Sequence, residues 1–442
     1  MKNKTKQKKA KKGSTDVVGG LQWGDEGKGK IVNMLGVKEN YALGVRPHGG
    51  PNAGHSLIIR KETVVLNTIP CTIFEIPSLC GAGMVINPIL LVEEIAKVKS
   101  FGANPEKNLF LSNEAHLILP SHIILDKAEE AYKGKGKIGS TAQGIGPVYR
   151  DKAGRTGIRI VDIFYPDFGK KVRSLIKAHV ENATKILGYA VDKKNLDEEL
   201  VKFFNSTNFI KKNYGKNCVN CSTFVNSYLQ KGKNILSEGA QASMLDLFFG
   251  TYPYVTSSRC IASAVPGELG IPAQSVRKVF GVIKAYATRV GNGPFPTKID
   301  GVLEKELREI GNEFGARTGR ARDTGWLDLP ALRFAIMANG VTDLVIVKVD
   351  CLDSFKEILV CTSYDLNGKK KKILDFDMTL EKDNIKPIYK KFVGWEEKTS
   401  GIRGKTDFPK KCLEYLRYLE KELNTPIHTV SVGPGKDDVV LY

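Results

Sequence analysis

Residues 22–30 read QWGDEGKGK and directly follow a short apolar run at residues 17–21. The run contains two valines, the next stretch contains three glycines, and apolar residues then recur at helical spacing through residues 31–35. This order predicts a strand, a glycine-rich loop and a helix. Backbone N–H groups and the helix N-terminus would converge at the loop, and such a point favours an anion. We therefore expect the loop to bind phosphate.

The loop departs from the usual phosphate-binding pattern at the position after its last lysine. Residues 24–30 match G-x-x-x-x-G-K, but Ile31 stands where a Ser or Thr normally binds magnesium. Because Mg²⁺ takes hard oxygen ligands, the Asp25 carboxylate is the best local replacement for that hydroxyl. Asp25 is also close enough to act as a base on the group that receives the phosphate. The alternative interpretation is a glycine-rich turn with solvated charges.

Further strand-like runs occur at residues 41–45, 279–286, 343–349 and 428–432, and helical patterns separate them. Strands that alternate with helices predict an α/β fold with a large, mostly parallel central sheet flanked by helices. The loops that carry chemistry would then gather along the carboxyl edge of this sheet. Residues 158–236 have a mostly helical pattern and predict a peripheral helical subdomain.

Composition and charge indicate a soluble chain with a basic tail. The 442 residues carry a net charge of +19, and seven lysines lie within the first twelve residues without an acidic neighbour. We predict a disordered tail over residues 1–13 and a single catalytic domain over residues 14–442. Without an apolar run near the roughly 20 residues that a bilayer requires, we expect a cytoplasmic protein with no membrane partner. All eight cysteines are expected to be free thiols.

A second loop, residues 46–56, carries groups suited to phosphoryl transfer. Its three glycines and two prolines predict an irregular conformation, and it contains Asn52 and His55. Phosphoryl transfer needs a backbone cradle, cations for the developing charge and a base. Asp25 and His55 are the natural acid–base pair in this sequence.

Two later stretches suggest recognition of a carboxylate and of guanine. Arg317, Arg320 and Arg322 lie within six residues, and the guanidinium of Arg320 suits bidentate capture of a carboxylate, whereas Arg322 suits a nucleotide. Asp350 follows a predicted strand in the run Lys-Val-Asp. A carboxylate there can accept from both N1–H and the 2-amino group of guanine, a pairing that adenine cannot supply.

The run QWGDEGKGK resembles the N-terminal signature of the adenylosuccinate synthetase family, and residues 51–55 (PNAGH) resemble its second element. The resemblance continues in family order from about residue 16 to about residue 435. It implies a single domain related to P-loop GTP-binding folds. It also implies a GTP-dependent ligase that joins IMP and L-aspartate to give adenylosuccinate, GDP and phosphate, the first committed step from IMP to AMP. The implied cofactor is Mg²⁺, GTP is the co-substrate, and 6-phosphoryl-IMP is the intermediate.

The resemblance also implies roles for individual residues. Asp25 would take the N1 proton of IMP and bind Mg²⁺, and Gly54 would offer its carbonyl to the same ion. His55 would assist phosphate departure from GTP. Arg155 would reach the IMP phosphate of a partner subunit, which implies a homodimer with shared sites.

The implied site residues fall into four groups. The catalytic group is Asp25, Lys28, His55 and Gln241. The IMP group is Asp25, Glu26, Gly27, Lys28, Asn52, Ala53, Gly54, His55, Thr141, Arg155, Gln241, Thr256 and Arg320. The GTP group is Gly24, Asp25, Glu26, Gly27, Lys28, Gly29, Lys30, Gly54, His55, Ser56, Arg322, Lys348, Val349, Asp350, Ser431, Val432 and Gly433. The aspartate group is Val290, Ala316, Arg317, Thr318, Gly319, Arg320, Ala321 and Arg322.

The sequence also departs from the family pattern, and two other classes of function compete with the ligase. Ala142-Gln143 replaces the usual Gly-Arg, Pro51 stands where a histidine is common, and residues 263–268 lack the common glycine-rich form. A regulatory GTP-binding switch would carry a hydroxyl at the position of Ile31. A nucleic-acid-binding protein would interleave aromatic and basic residues, and the lysine-rich tail contains no aromatic residue.

Overall fold

Strand β1 (Thr15–Gly20) lies in the middle of the main sheet, and all six of its residues are buried. The computed structural model describes residues 12–315 and 319–442. The strands that follow are β2 (Tyr41–Gly49), β3 (His55–Ile59), β4 (Glu62–Leu66), β5 (Ser78–Ile86), β6 (Leu109–Ser112), β7 (His116–Leu117), β8 (Cys218–Val219), β9 (Asn234–Glu238), β10 (Val276–Lys284), β11 (Ala287–Arg289), β12 (Asp323–Gly325), β13 (Leu327–Asp328), β14 (Asp343–Val347), β15 (Glu357–Leu366), β16 (Lys369–Lys371), β17 (Ile385–Val393), β18 (Ile427–Ser431) and β19 (Val439–Leu441).

Helices separate most consecutive strands of the main sheet along the chain. They are α1 (Lys28–Lys38), α2 (Pro88–Ser100), α3 (Pro105–Asn108), α4 (Pro120–Tyr132), α5 (Ile145–Gly154), α6 (Phe168–Glu181), α7 (Lys193–Tyr214), α8 (Cys221–Gln230), α9 (Val265–Leu269), α10 (Val302–Ile310), α11 (Leu329–Asn339) and α12 (Lys410–Leu423). Helices α6 to α8 account for the predicted helical subdomain.

The main sheet confirms the predicted α/β fold. Its strand order is β19-β18-β14-β10-β1-β9-β2-β5-β6-β8. Neighbouring strands from β18 to β8 run parallel, and β19 pairs antiparallel with β18. Val17 of β1 is paired with Val279 on one side and Ser237 on the other. The sheet is therefore mostly parallel, as the alternation of strands and helices predicted.

Both faces of the sheet are covered because alternate side chains of β1 point to opposite faces. Val18 packs with Ile31 and Leu35 of α1 in one buried cluster. Val17 packs with Leu43 of β2 in a second buried cluster on the other face. The apolar residues after the glycine-rich loop thus anchor α1 against the strand that precedes the loop, and they fix the position of the loop at the sheet edge.

All four predicted strand runs differ from the structure at one or both ends. Strand β14 ends at Val347 rather than at residue 349, because Lys348 adopts a left-handed backbone with φ 59° and residues 349–352 form a 3₁₀ turn. Strand β10 spans Val276–Lys284 rather than residues 279–286, and β18 spans Ile427–Ser431 rather than residues 428–432. Strand β2 continues to Gly49, so residues 46–49 of the predicted irregular loop belong to the strand. The first difference places Lys348 and Asp350 on a turn at the carboxyl edge.

Several predictions concern regions beyond the central sheet. Residues 1–11 lie outside the described residues, so the disordered tail and the division into tail and single domain remain predictions. All eight cysteines are free thiols, as predicted. In the described part of the chain, no helix combines the length and the apolarity needed to cross a membrane.

Candidate active site

The carboxyl edge of the central sheet brings the predicted chemical loops together. Strands β1, β2, β9, β14 and β18 run parallel, so the segments that follow them emerge at one edge. These segments are residues 21–27, 50–54, 239–243, 348–350 and 432–435. Each contains residues that the sequence predicted to bind nucleotide or to act in catalysis.

The loop between β1 and α1 is held in shape by Glu26, whose side chain is fully buried. Its Oε1 accepts hydrogen bonds from the backbone N–H groups of Gln22 at 3.2 Å and Gly24 at 2.9 Å. Its Oε2 accepts from Lys28 Nζ at 2.7 Å. The predicted ligand-binding side chains of Glu26 and Lys28 therefore contact each other. Asp25, which has φ 59°, remains at the exposed tip of the loop.

His55 is held by a buried carboxylate that the sequence did not identify as a site residue. Glu238 Oε1 accepts a short hydrogen bond from His55 Nδ1, and Glu238 Oε2 accepts from the backbone N–H of Cys71 at 2.7 Å. A Cβ atom at Gly29 would lie only 2.8 Å from His55 Cβ, so the absence of a side chain lets α1 approach this histidine. The approach of α1 and the Glu238 contact together fix His55 beside the glycine-rich loop.

Burial and charge act in opposite directions on this pair. Burial lowers the pKa of His55, and the adjacent Glu238 partly opposes the effect. Burial disfavours the Glu238 carboxylate, but His55 and Arg46 outweigh it and hold the pKa of Glu238 below its ordinary value. Glu238 is therefore ionised, it keeps the Nδ1–H tautomer of His55, and it leaves Nε2 as the atom that can face a phosphate.

Asp25 is paired with a predicted nucleotide-binding arginine. Arg322 Nε lies 2.8 Å from Asp25 Oδ2, and Arg322 Nη1 lies 2.6 Å from Glu313 Oε2. The Asp25 side chain is 35% exposed, whereas that of Arg322 is 9% exposed. The buried cation of Arg322 thus holds one side of the Asp25 carboxylate, and the other side is open to solvent and to a ligand.

Magnesium is implied by the family resemblance, and the donor atoms allow the expected ligands to be tested. The Asp25 carboxylate and the Gly54 carbonyl are hard oxygen donors, which fit Mg²⁺. His55, Cys71 and Glu238 instead offer one nitrogen, one sulfur and one oxygen within 4.8 Å of one another. Mixed donors of this kind suit softer metals such as zinc. The donor chemistry therefore favours Asp25 and Gly54 for magnesium.

A second group of metal-type side chains, His122, Asp151 and His179, joins α4, α5 and α6. The Nε2 atoms of both histidines lie 2.9 Å from Asp151 Oδ2. His122 Nδ1 accepts a hydrogen bond from the backbone N–H of Leu119 at 2.8 Å, so its Nε2 carries the proton and donates to Asp151. A protonated nitrogen is not a metal ligand, and the group is a hydrogen-bonded clamp close to Arg155.

The predicted IMP pocket contains buried polar atoms without a partner in the described residues. They are Asn52 Oδ1, Gln241 Nε2 and both ring nitrogens of His48. Burial lowers the pKa of His48 to about 3, so this ring is neutral. A Cβ at Gly49 would lie 3.2 Å from Gln241 Oε1, which places Gln241 beside the residue after His48. Unpaired buried donors and acceptors are costly, and together they indicate a polar ligand.

Lys30 joins the glycine-rich loop to the segment after β18, which was predicted to contact guanine. Its ammonium donates to Ser431 Oγ at 2.7 Å and to the carbonyls of Gly433 at 2.6 Å and Asp438 at 3.0 Å. Burial lowers the pKa of Lys30 to about 8. Burial also raises the pKa of Asp350. Lys30, which was predicted to belong to the GTP group, therefore supports the segment after β18 through its ammonium.

Two acidic residues of α4 hold the loop that contains the unusual Ala142-Gln143 pair. Glu130 accepts hydrogen bonds from the N–H groups of residues 138–140 at 2.9 to 3.4 Å. Asp126 accepts from Ser140 Oγ at 2.6 Å and from the N–H of Gly144 at 2.8 Å. Gln143 Nε2 donates to the carbonyl of Thr141 at 3.2 Å, and Thr141 is exposed. The replacement for the family arginine thus stays within its own loop.

The predicted aspartate loop is described only in part. Three of its members lie outside the described residues: Ala316, Arg317 and Thr318. The Gly319 N–H donates to the Gly315 carbonyl, and the Gly315 N–H donates to the Arg320 carbonyl, both at 2.8 Å. Arg320 is exposed, Ala321 forms a bridge with Phe314, and the nearby Val290 is half-buried. The described ends of the loop therefore form a closed turn.

The remaining predicted residues differ in exposure. Ala53 is buried, and its carbonyl accepts from Asn67 Nδ2 at 2.5 Å. Thr256 is half-buried, and its N–H donates to the Leu245 carbonyl at 3.0 Å. Ser56 is exposed on β3, and Arg155 is exposed at the C-terminal end of α5 with φ 63°. These positions agree with pocket-lining roles for Ala53 and Thr256 and with an outward role for Arg155.

Sequence reasoning missed four residues of this region: His48, Glu238, Lys284 and Glu313. His48 and Glu238 lie at the carboxyl ends of strands, and this position was the available signal. Lys284 and Glu313 carried no local signal because their pairing depends on how β10 packs against the loop after α10.

Comparison with known proteins gives concordant findings. The family model for adenylosuccinate synthetase matches residues 17–440. The adenylosuccinate synthetase of Cytophaga hutchinsonii is 45% identical over 433 residues, which cover 97% of this chain and 98% of that protein. The enzyme of Flavobacterium johnsoniae is 44% identical over 430 residues, which cover 97% and 99%. The structure of fully ligated adenylosuccinate synthetase from Plasmodium falciparum is similar with a TM-score of 0.90 and 35% identity, covering 97% of this chain and 100% of that chain.

Proposed function

The chain belongs to the adenylosuccinate synthetase family, and from this premise we propose how its residues divide the reaction. It is a GTP-dependent ligase that joins IMP and L-aspartate to give adenylosuccinate, GDP and phosphate. The observation that supports the division of roles is the meeting of Asp25, His55 and the Lys348–Asp350 turn at one sheet edge. A coupled assay with IMP, GTP, Mg²⁺ and aspartate, each omitted in turn, tests the activity and requires all four.

The proposed first step activates O6 of IMP. Asp25 removes the proton from N1, O6 attacks the γ-phosphorus, and GDP leaves. Asp25 can do this because its side chain lies at the tip of the loop and is partly exposed. In the proposed step the His55 ring is doubly protonated: Nδ1–H donates to Glu238, whose charge favours this form, and Nε2–H donates to the phosphate that is transferred. Asp25 and Gly54 would hold the magnesium ion, which would neutralise charge on the phosphates.

The proposed second step replaces the new phosphate by the amino group of aspartate. Phosphorylation is needed because the oxygen of an amide-like group is a poor leaving group. Arg320 binds a carboxylate of aspartate, and the other residues of the predicted aspartate group line its pocket. Asn52 and Gln241 bind the hypoxanthine ring, which is supported by their buried and unpartnered atoms. The product phosphate and adenylosuccinate then leave.

Guanine selection is assigned to Asp350. Asp350→Asn is expected to lower kcat/KM for GTP by about tenfold or more, because an amide cannot accept from both N1–H and the 2-amino group. Xanthosine triphosphate carries a carbonyl in place of the 2-amino group, so its use should improve relative to GTP. Initial rates with GTP, ATP and xanthosine triphosphate measure this selectivity. Asp343→Asn, at the opposite end of the same strand, should leave it unchanged, and unaltered selectivity of Asp350→Asn would remove the assignment.

We also propose a homodimer in which Arg155 enters the IMP site of the partner. The exposed, left-handed position of Arg155 at the end of α5 supports this role. Arg155→Leu and Asp25→Asn should each be inactive alone. Mixed after dissociation, they should recover about a quarter of wild-type activity, because half of the dimers are then mixed and each has one complete site. The absence of recovery in verified mixed dimers would contradict site sharing.

The proposed location is the cytoplasm, and the proposed partners are the three substrates and a second copy of the chain. Family membership supports both proposals. Nucleic acid is not among the proposed partners. Deletion of residues 1–12 followed by a polynucleotide-binding assay examines the lysine-rich tail separately.

A further inference from the structure

Glu313 lies behind the active site, and its side chain is fully buried. Within the described part of the chain, four groups contact its carboxylate. Lys284 Nζ lies 3.0 Å from Oε1 and 2.9 Å from Oε2, and Tyr286 OH donates to Oε1 at 2.5 Å. Lys348 Nζ lies 2.7 Å from Oε1, and Arg322 Nη1 lies 2.6 Å from Oε2. A single carboxylate therefore meets three cations and a phenol.

Two of those cations belong to opposite ends of the site. Arg322 holds Asp25 through its Nε atom at 2.8 Å. Lys348 begins the turn that carries Asp350, and its left-handed backbone ends β14. Glu313 is thus connected to the proposed base, Asp25, through Arg322. It is connected to the proposed guanine-binding turn through Lys348.

The backbone around Glu313 reinforces these contacts. The backbone N–H of Arg322 donates to the backbone carbonyl of Glu313 at 3.0 Å. The two residues are therefore joined through their main chains as well as through their side chains. Lys348 Nζ also donates to the carbonyl of Gly311, two residues before Glu313. The segment from Gly311 to Arg322 is therefore fastened to the end of β14 at its described ends.

We propose that Glu313 is a positioning residue that sets Arg322 and Lys348 together, so that one buried carboxylate aligns the aspartate and base end of the site with the guanine end. The proposal rests on the proposed function of Asp25 and Asp350. Three cations that converge in a buried space repel one another unless an acceptor lies between them. Glu313 supplies that acceptor, and no other carboxylate among the described residues contacts Lys348 or Lys284.

The competing interpretation is that Glu313 only neutralises Lys284 in the core. The two interpretations differ in kinetics. A purely structural role lowers stability and the amount of folded enzyme, but it leaves the KM values of the folded fraction unchanged. A positioning role raises KM for GTP and for aspartate, and it lowers kcat because Arg322 holds Asp25. KM for IMP should change least, because Asn52 and Gln241, which are proposed to bind the hypoxanthine ring, do not contact this group.

The test uses the full-length enzyme with Glu313→Gln and with the double variant Glu313→Gln/Lys284→Met. The double variant removes one buried negative and one buried positive charge, so it avoids an unpaired Lys284. Both variants are expected to raise KM for GTP and for aspartate by about tenfold, as the loss of a charged hydrogen bond does, with KM for IMP within about twofold of wild type. Glu313→Asp, which keeps the charge, should recover part of the loss.

The control is Asp328→Asn, which changes another buried carboxylate. Asp328 accepts from Tyr364 OH at 2.7 Å and caps α11, and it contacts none of the proposed site residues that the structure describes. It should lower the melting temperature without changing any KM. Normal KM values for GTP and aspartate in the folded double variant would overturn the proposal, as would failure of that variant to fold. If wild-type enzyme lacked ligase activity, the proposed function itself would fail, which is a different result from unchanged KM values in an active enzyme.

Discussion

Asp25→Asn is expected to lower kcat by about a thousandfold while the protein remains folded. The amide cannot remove the N1 proton of IMP, and loss of a positioned base costs about 10² to 10⁴ in rate. Asparagine tolerates the left-handed backbone of this position, and the side chain it replaces is 35% exposed. Steady-state kinetics together with thermal unfolding measure the two effects separately.

The matched control for this substitution is Asp375→Asn. Asp375 is also partly exposed and is paired with a single cation, Lys371, at 3.1 Å. The control should change neither kcat nor the melting temperature appreciably, because exposed pairs contribute little. Turnover of Asp25→Asn close to that of wild type would rule out Asp25 as the base.

His55→Asn is expected to lower kcat by about a hundredfold with little change in KM for IMP. Asparagine keeps a polar side chain but cannot donate a proton to the phosphate that is transferred. The structure supports this role because Glu238 contacts Nδ1 and leaves Nε2 available, and because α1 packs against the histidine at Gly29. Single-turnover release of GDP measures the transfer step directly.

Glu238→Gln is the companion variant for His55. Glutamine can occupy the same space and still accept from Nδ1–H, but it no longer carries the charge that favours a protonated ring. We expect a smaller loss of kcat, about tenfold, with KM for IMP unchanged. An unchanged rate of GDP release in His55→Asn would show that the histidine does not take part in transfer.

The sequence alone predicted the parts of the fold that depend on local pattern. The valine run, the glycine-rich loop and the helical spacing of Ile31 and Leu35 specified β1, the phosphate loop and α1. The carboxyl edge followed from parallel strands, because such strands place their exit loops on one side. Asp25, His55 and Asp350 were predicted from these loops, and the structure places all three at that edge.

The residues that sequence analysis missed depend on contacts between distant segments. Glu238 meets His55 across 183 positions, and no spacing rule connects them. Lys30 shows the same dependence on distant segments, because its ammonium reaches Ser431, 401 positions away. The end of β14 was predicted two residues too late, because the left-handed turn at Lys348 contains no glycine that would indicate it in the sequence.

The central position of β1 in the sheet affects how the chain folds during its synthesis on the ribosome. Both neighbours of this strand are made more than two hundred residues later, at Asn234–Glu238 and Val276–Lys284. At a translation rate of about 5 to 20 residues per second, β1 remains without its neighbouring strands for on the order of tens of seconds. During most of translation, the N-terminal segment of the nascent chain therefore exposes an unpaired strand edge that is prone to aggregate. It is the segment that chaperones have most reason to protect.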